Sequence, residues 1–346
     1  MIEIQGDVFE GGGQILRTAI ALSTVIEKPF RIFNIRAKRR NPGIRPQHLE
    51  AIRAVAKLCD AEVRGADIGN KELKFYPKRI RSGKIDITIP TAGSIGLMLQ
   101  GLMIAASRID EDINVRINGG ATNGKWAAPV NFIKHVLIPI LSKMGYRAWI
   151  EIERYGYYPV GGAKVKMKIE PSKLSSIKLL EQEEILSING ISHASLHLKK
   201  SKVAERQQKA ARDLLFKKFQ IEPEIKVEYV NTDCPGSAID LWIKTKNSFL
   251  GDSSLGEPGK PAEEVGKDAA WMLINQHKSS APLDSHMSDQ IIPYMALGTI
   301  SDGESMVRAS AITNHTKTNI WVVEQFLPVK FSINEKEKII SCRLLR

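Results

Sequence analysis

His315 lies in the most chemically concentrated stretch of the chain, where Arg308, Ser310, Thr313, Asn314, Thr316, Lys317 and Thr318 crowd together ahead of an amphipathic run that ends at Pro328. The stretch reads as a short strand, a polar loop and a helix, with Thr316 or Thr318 as N-cap. An imidazole beside a helix start, where unpaired N–H groups and the dipole favour an anion, could work on a phosphate. Taken alone, a solvated loop histidine is the commoner case.

Other stretches offer parts for the same chemistry. Glu10, Gly11, Gly12, Gly13 and Gln14 run straight into a helical pattern over residues 15–23, with Arg17 close to Gln14 on the first turn. Glycines before a helix let the backbone approach a phosphate, although the Walker ending of Lys and Ser/Thr is missing. Glu10, Gln14 and Arg17 therefore make a metal-phosphate site conceivable, and a tight turn with a surface arginine accounts for them equally well. A second loop carries Arg36, Lys38, Arg39, Arg40 and Arg45, stiffened by Pro42, Gly43 and Pro46, ahead of a helix from about residue 47 to 59. It reads as an anion-binding face. Gln100 interrupts an apolar helix spanning 93–106 and needs a partner in the core, or a ligand where helices meet. His193 and His197 alternate onto one strand face, but no further metal ligands accompany them.

These residues need a scaffold, and the composition supports one. The chain has 346 residues, 43% of them hydrophobic, and a net charge of +12. That is ample for a large core, and the charge favours polyanionic partners such as nucleic acid. Cys59, Cys234 and Cys342 form no C-x-x-C pair, so neither disulfides nor zinc are indicated, and a reducing, cytoplasmic location is expected. The start lacks a signal-peptide pattern, and the most apolar run, 95–106, is too short to span a bilayer, so no membrane association is expected.

A strand, loop and helix recur along the chain. Strand 29–35 leads into the basic loop, and strand 112–117 leads into a glycine-rich loop, 118–129, and a helix over 130–144. Strand 305–310 leads into the His315 loop and a helix over 318–326, and a helix over 289–297 comes before that strand. The period of ~80 residues between Arg36 and Asn118 suggests duplicated supersecondary units. Residues 182–277 break the pattern with strand 185–198, a helix from 203 to about 220, and strands 224–230 and 238–245. They read as a small inserted α/β domain, with 251–261 as a mobile loop.

Together these motifs resemble the RNA 3'-terminal phosphate cyclase family over essentially the whole chain. The resemblance rests on Glu10 to Arg17, on Ile35-Arg36-Ala37 with Pro42-Gly43 and Gln47-His48-Leu49, on Gly119-Gly120-Ala121-Thr122 through Pro129, and on Tyr157 to Gly162. Val203-Ala204-Glu205-Arg206, Ser288-Asp289-Gln290, and His315 with Thr318-Asn319-Ile320 and Phe326-Leu327-Pro328-Val329 complete it. The resemblance implies an α/β (α+β) fold. A large domain, 1–181 plus 278–346, would hold three repeats of a four-stranded sheet with two helices, similar to the C-terminal domain of a bacterial translation initiation factor. The inserted domain would be 182–277.

The implied reaction converts an RNA 3'-phosphate to a 2',3'-cyclic phosphodiester with ATP, releasing AMP and pyrophosphate. The resemblance makes His315 the nucleophile, through a covalent histidine–AMP intermediate. Glu10, Gln14, Arg17, Gln100, Pro129, His286, Asp289 and Gln290 would bind ATP, and Glu10 a divalent cation, Mg or Mn. Arg36, Arg39 and Arg40 would bind phosphates of an RNA bearing a 3'-terminal phosphate. Two departures stand out: His286 occupies a place where some members have tyrosine, and Ala163 replaces a turn glycine. The same fold includes non-catalytic cyclase-like RNA-processing factors, but these lack the histidine. An enolpyruvate transferase would need six units. The RNA substrate, the metal, the use of 5'- or DNA ends, the inserted domain's role and the oligomeric state, homodimer included, stay open.

Overall fold

The computed structural model describes residues 1–9 and 11–345, so Glu10, expected at the nucleotide and metal site, lies outside the described residues. The first elements are β1 (Ile2–Gln5), α1 (Gly13–Val25), β2 (Phe30–Phe33), α2 (Pro46–Cys59), β3 (Glu62–Arg64) and β4 (Leu73–Tyr76). Their sheet has the order β1-β2-β4-β3, with β1 and β2 parallel and the other pairs antiparallel.

The next sheet, β5-β6-β8-β7, is built from β5 (Gly83–Ser94), α3 (Ile95–Ala105), β6 (Ile113–Ala121), α4 (Val130–Phe132), α5 (Ile138–Ser142), β7 (Arg147–Arg154) and β8 (Lys164–Glu170). Strict alternation drives it: Ile113, Val115 and Ile117 of β6 face the core while Asn114, Arg116 and Asn118 face water. Between α4 and α5 the helix widens into a π turn over Ile133–Leu137, just before Pro139, which has no N–H to donate.

The chain then lays down β9 (Lys178–Leu179) before a sheet of different order, β11-β10-β12-β13. That sheet comprises β10 (Ile185–Ser195), β11 (Glu224–Val230), β12 (Ser237–Thr245) and β13 (Phe249–Leu255), with α6 (Val203–Phe219) and α7 (Ala262–Lys278). It has its own apolar core of Ile188, Leu215, Ile239, Leu241, Val265 and Leu273. The last elements are α8 (Met287–Gln290), α9 (Ile292–Asp302), β14 (Ser305–Arg308), α10 (Asn314–Phe326), β15 (Val329–Asn334) and β16 (Ile339–Leu344). They form β15-β16-β14-β9, again one parallel pair followed by antiparallel neighbours.

Helix α1 is the centre of the site-bearing layer. Every residue in it but Arg17 is buried, and it packs on α2, α3 and α10. Full burial of Ile15, Leu16, Ile20 and Leu22 contributes ~1.5–3 kcal/mol each, which makes α1 the rigid reference for its neighbours. Gly13 is required by that packing, because a Cβ there would lie 2.0 Å from His48 Nε2 on α2.

Several boundaries differ from the sequence expectation. The N-cap of α10 is Thr313, not Thr316 or Thr318, because Thr313 Oγ1 accepts from the Thr316 N–H at 3.0 Å while Thr316 Oγ1 accepts from the Thr313 N–H at 3.2 Å. His315 therefore sits in the first turn of the helix rather than in a loop before it. The helix expected over 289–297 is two helices, α8 and α9, with Pro293 in the first turn of the second. The stretch read as a mobile loop over 251–261 is in part the paired strand β13, whose ladder to β12 outweighs its glycine and serine content. Helix α7 follows it and was not anticipated, because its apolar positions are diluted by small and polar residues.

Candidate active site

Five helices converge on one cavity. Helix α1 contributes Gln14, Arg17 and Thr18; α3 contributes Gln100, Gly101 and Ile104; Asp289, Gln290, Tyr294 and Asn319 come from α8, α9 and α10. Helix α3 is capped by Ser94, whose side chain accepts from the Leu97 N–H.

His315 is tied to this cavity through a hydrogen-bonded chain. Its Nδ1 is 2.8 Å from Gln14 Oε1, and Gln14 Nε2 donates to Asp289 Oδ2 at 2.8 Å. A carboxylate only accepts, so an ionised Asp289 turns the Gln14 amide oxygen toward the histidine. The imidazole then carries its proton on Nδ1 and its lone pair on Nε2. Behind this chain, Asn319 Nδ2 donates to the Asp289 carbonyl at 2.8 Å and its Oδ1 accepts from Thr18 at 2.8 Å, which locks α1, α8 and α10 together.

The electrostatics follow from burial. Burial pushes the Asp289 carboxyl up to about 7, opposed by His286 and Arg17. Burial lowers Arg17 to about 10, with Asp289 opposing the shift. Against the cost of burial, the carboxylates of Asp252, Asp284 and Asp289 raise His286 to about 9. On α2, burial together with the charges of Arg17, Arg36 and Arg45 holds His48 down at about 3, so its imidazole is neutral. Its Nδ1 accepts from the Arg45 N–H at 3.0 Å. Arg17 of α1, Arg36 of the basic loop and the N-cap residue Arg45 thus raise the positive potential around His48.

Two buried polar atoms at the cavity, Gln290 Oε1 and the Tyr294 hydroxyl, have no hydrogen-bond partner among the described residues. Leaving such a group unsatisfied costs ~1–3 kcal/mol, so this cavity is built for a polar occupant. Among the described residues no three His, Cys, Asp or Glu side chains gather as metal ligands.

The expected residues divide into three groups. Gln14, Arg17, Gln100, Asp289 and Gln290 line the cavity, with His315 bonded to Gln14. Pro129 caps α4 and His286 precedes α8; neither lines the cavity, and His286 instead meets Asp252 at 3.5 Å and the edge of Phe132. The basic residues of the loop ahead of α2 do not line the cavity. Arg36 closes its own loop by donating to the Asn41 and Gly43 carbonyls at 2.6 and 3.2 Å, and Lys38 donates to the Asp7 carbonyl at 2.8 Å. Arg39 reaches the glycine loop, with a guanidinium nitrogen 3.5 Å from where a Cβ on Gly12 would stand, and Arg40 is exposed. His193, far from this cavity, is buried between Tyr157 and Asp240 at 2.6 and 3.1 Å.

Sequence reading did not single out Thr18, Tyr294 or Asn319 as site residues. Each stands four positions after a residue that it did single out, namely Gln14, Gln290 and His315, which puts Thr18 and Asn319 on the same helix face as Gln14 and His315, while Tyr294 follows Gln290 across the break between α8 and α9. That spacing was the available signal.

Comparison with known proteins gives a consistent result. The family model described as RNA 3'-terminal phosphate cyclase matches residues 8–333. A protein of that name from Pyrococcus abyssi is 45% identical over 96% of this chain and 95% of its own length. Those from Methanopyrus kandleri and Pyrococcus furiosus are 42% and 44% identical, covering 97% and 98% of this chain and 96% and 98% of their own.

Proposed function

Because the chain belongs to the RNA 3'-terminal phosphate cyclase family, an enzyme family of RNA 3'-end processing, we propose that it cyclises RNA 3'-phosphates through an adenylylated His315. The observation that carries this reading is the chain from Asp289 through Gln14 to His315 Nδ1, on the first turn of α10 and at the edge of a polar cavity.

In the first step His315 Nε2 attacks the α-phosphorus of ATP. A P–N bond forms, the bond to the β-phosphate oxygen breaks, and pyrophosphate leaves. The positive end of α10 faces the charge that accumulates on the phosphate, and Arg17 with Arg36, Arg39 and Arg40 of the basic loop offers further compensation. Gln100, Asp289, Gln290, and more peripherally Pro129 and His286, hold the nucleotide. Glu10 is the carboxylate we assign to a divalent ion, which would neutralise charge on the departing pyrophosphate. An ion bound mainly through substrate phosphates needs only one or two protein carboxylates.

In the second step an oxygen of the RNA 3'-phosphate attacks the same phosphorus, the P–N bond breaks, and His315 regains its lone pair. The vicinal 2'-hydroxyl then attacks the 3'-phosphorus, loses its proton and expels AMP, leaving the cyclic diester. Activation is needed because a phosphate monoester oxygen is a poor leaving group.

We read the three sheets whose strands run in the chain order first-second-fourth-third as copies of one unit, within a large domain of 1–181 and 278–346, and the sheet of order second-first-third-fourth as the insertion 182–277. The enzyme is expected to act without membrane association; among the described residues no helix is long and apolar enough to cross a bilayer. A chase experiment tests the reaction order. Protein carrying label from the ATP α-phosphate is mixed with a 3'-phosphorylated oligoribonucleotide. Labelled AMP released in step with a cyclic end supports it, and cyclisation without label loss contradicts it.

A further inference from the structure

We propose that Phe9 and Trp126 are a stacking platform for the bases next to the RNA 3'-end, so that single-stranded ends are accepted with little regard to sequence. This deepens the reading above and rests on RNA being the substrate. Trp126 is 96% exposed, and Phe9 53%. Both hold a left-handed backbone, with φ of +58° and +48°. Bulky side chains rarely occupy that region, and Trp126 offsets little of the cost by burial. A large aromatic ring presented to water at a conformational cost points to a flat, apolar ligand.

Their positions flank the cavity. Phe9 lies in the loop just before α1, the helix that carries Gln14 and Arg17 into the cavity. The basic loop touches that loop on both sides of Phe9, Lys38 at the Asp7 carbonyl and Arg39 beside Gly12. Trp126 lies in the loop between β6 and α4, which packs on the start of α3. A Cβ on Gly96 would be 1.9 Å from the Ala128 carbonyl oxygen, and one turn further along α3 Gln100 reaches the cavity. Helices α1 and α3 pack on each other, so the loops that carry the two aromatics adjoin helices that line one cavity.

Charge selects the kind of partner. Lys38 and Arg39 contact the loop that carries Phe9, with Arg40 next to them in the chain, and Lys125, paired with Glu257 at 2.9 Å, precedes Trp126, in a chain of net charge +12. Aromatic faces interleaved with cations match a single strand, whose phosphates are neutralised while its bases stack. A paired end would hide its base faces, so a duplex terminus is a poor fit.

The test measures binding of a fluorescent 3'-phosphorylated oligoribonucleotide by anisotropy at fixed salt, for the unaltered protein and for Trp126→Ala, Trp126→Phe and Phe9→Ala. Loss of one stacked base should raise Kd roughly 10-fold for each alanine variant, with Trp126→Phe restoring most of the affinity. An oligonucleotide abasic at its last two positions should bind the unaltered protein as weakly as Trp126→Ala binds the full oligonucleotide, and the variant should lose little more. Equal affinities for the unaltered protein and Trp126→Ala, or an equal abasic penalty in both, would overturn the proposal. The readout needs neither ATP nor turnover. A protein that binds in this way yet takes no label from ATP refutes the nucleophile assignment and leaves the platform standing.

Discussion

Replacing Gln14 by leucine keeps the apolar bulk on α1 and removes both amide contacts, to His315 Nδ1 and to Asp289 Oδ2, each 2.8 Å long. A neutral side-chain hydrogen bond contributes ~0.5–1.5 kcal/mol, and a buried acceptor left alone costs ~1–3 kcal/mol. The histidine then loses the bond that selects its tautomer and its ring orientation. Since ~1.4 kcal/mol is a factor of ten in rate, adenylylation should slow roughly 10- to 100-fold. The assay is single-turnover transfer of label from the ATP α-phosphate to protein, measured across ATP concentrations. The account requires the maximal rate to fall while the half-saturating ATP concentration moves little. The opposite split, an unchanged maximal rate with weak ATP binding, would show that Gln14 contacts the nucleotide and does not position the histidine. Gln14→Glu should be no better, because it sets a second carboxylate against Asp289.

Other outcomes follow from the same geometry. Burial holds Asp289 at about 7. It is protonated below that value and can then donate to the Gln14 oxygen, which turns the amide N–H toward His315 and disfavours the lone pair on Nε2. The adenylylation rate should therefore rise as pH increases through about 7, and Asp289→Asn should flatten that limb. Gly13→Ala places a methyl 2.0 Å from His48 Nε2, and chemical denaturation should register an overpacking loss of ~1–3 kcal/mol. Thr313→Ala removes the cap of α10, which should lower stability by ~1 kcal/mol and slow adenylylation, because the first turn that holds His315 frays.

The fold was legible where a single physical rule governs. Alternation marked β6, an apolar run interrupted only by Gln100 marked α3, and glycines followed by an apolar run marked the start of α1. It was less legible where rules compete. Serine, glycine and aspartate in Phe249–Leu255 argue for a loop, and only the ladder to β12 makes that segment a strand. Three threonines and two asparagines among residues 313–319 leave the cap of α10 ambiguous until the reciprocal bonds of Thr313 and Thr316 are seen. The site has the same character. Residue types marked Gln14, Gln100 and His315 as needing partners, but nothing local links Gln14 to Asp289, 275 residues away, or to His315, 301 away. Such contacts exist only once α1, α8 and α10 have packed. His286 and Pro129 could be read only through resemblance, and their places outside the cavity lining reflect the pairing of His286 with Asp252 and the capping role of Pro129.

The central claim is a covalent bond between one nitrogen and one phosphorus. Incubation with ATP, digestion without acid exposure and mass analysis of the peptides should place an added AMP on the peptide containing His315, lost on brief acid treatment. His315→Ala should carry none. AMP found on another residue, or undiminished labelling of His315→Ala, would contradict the account.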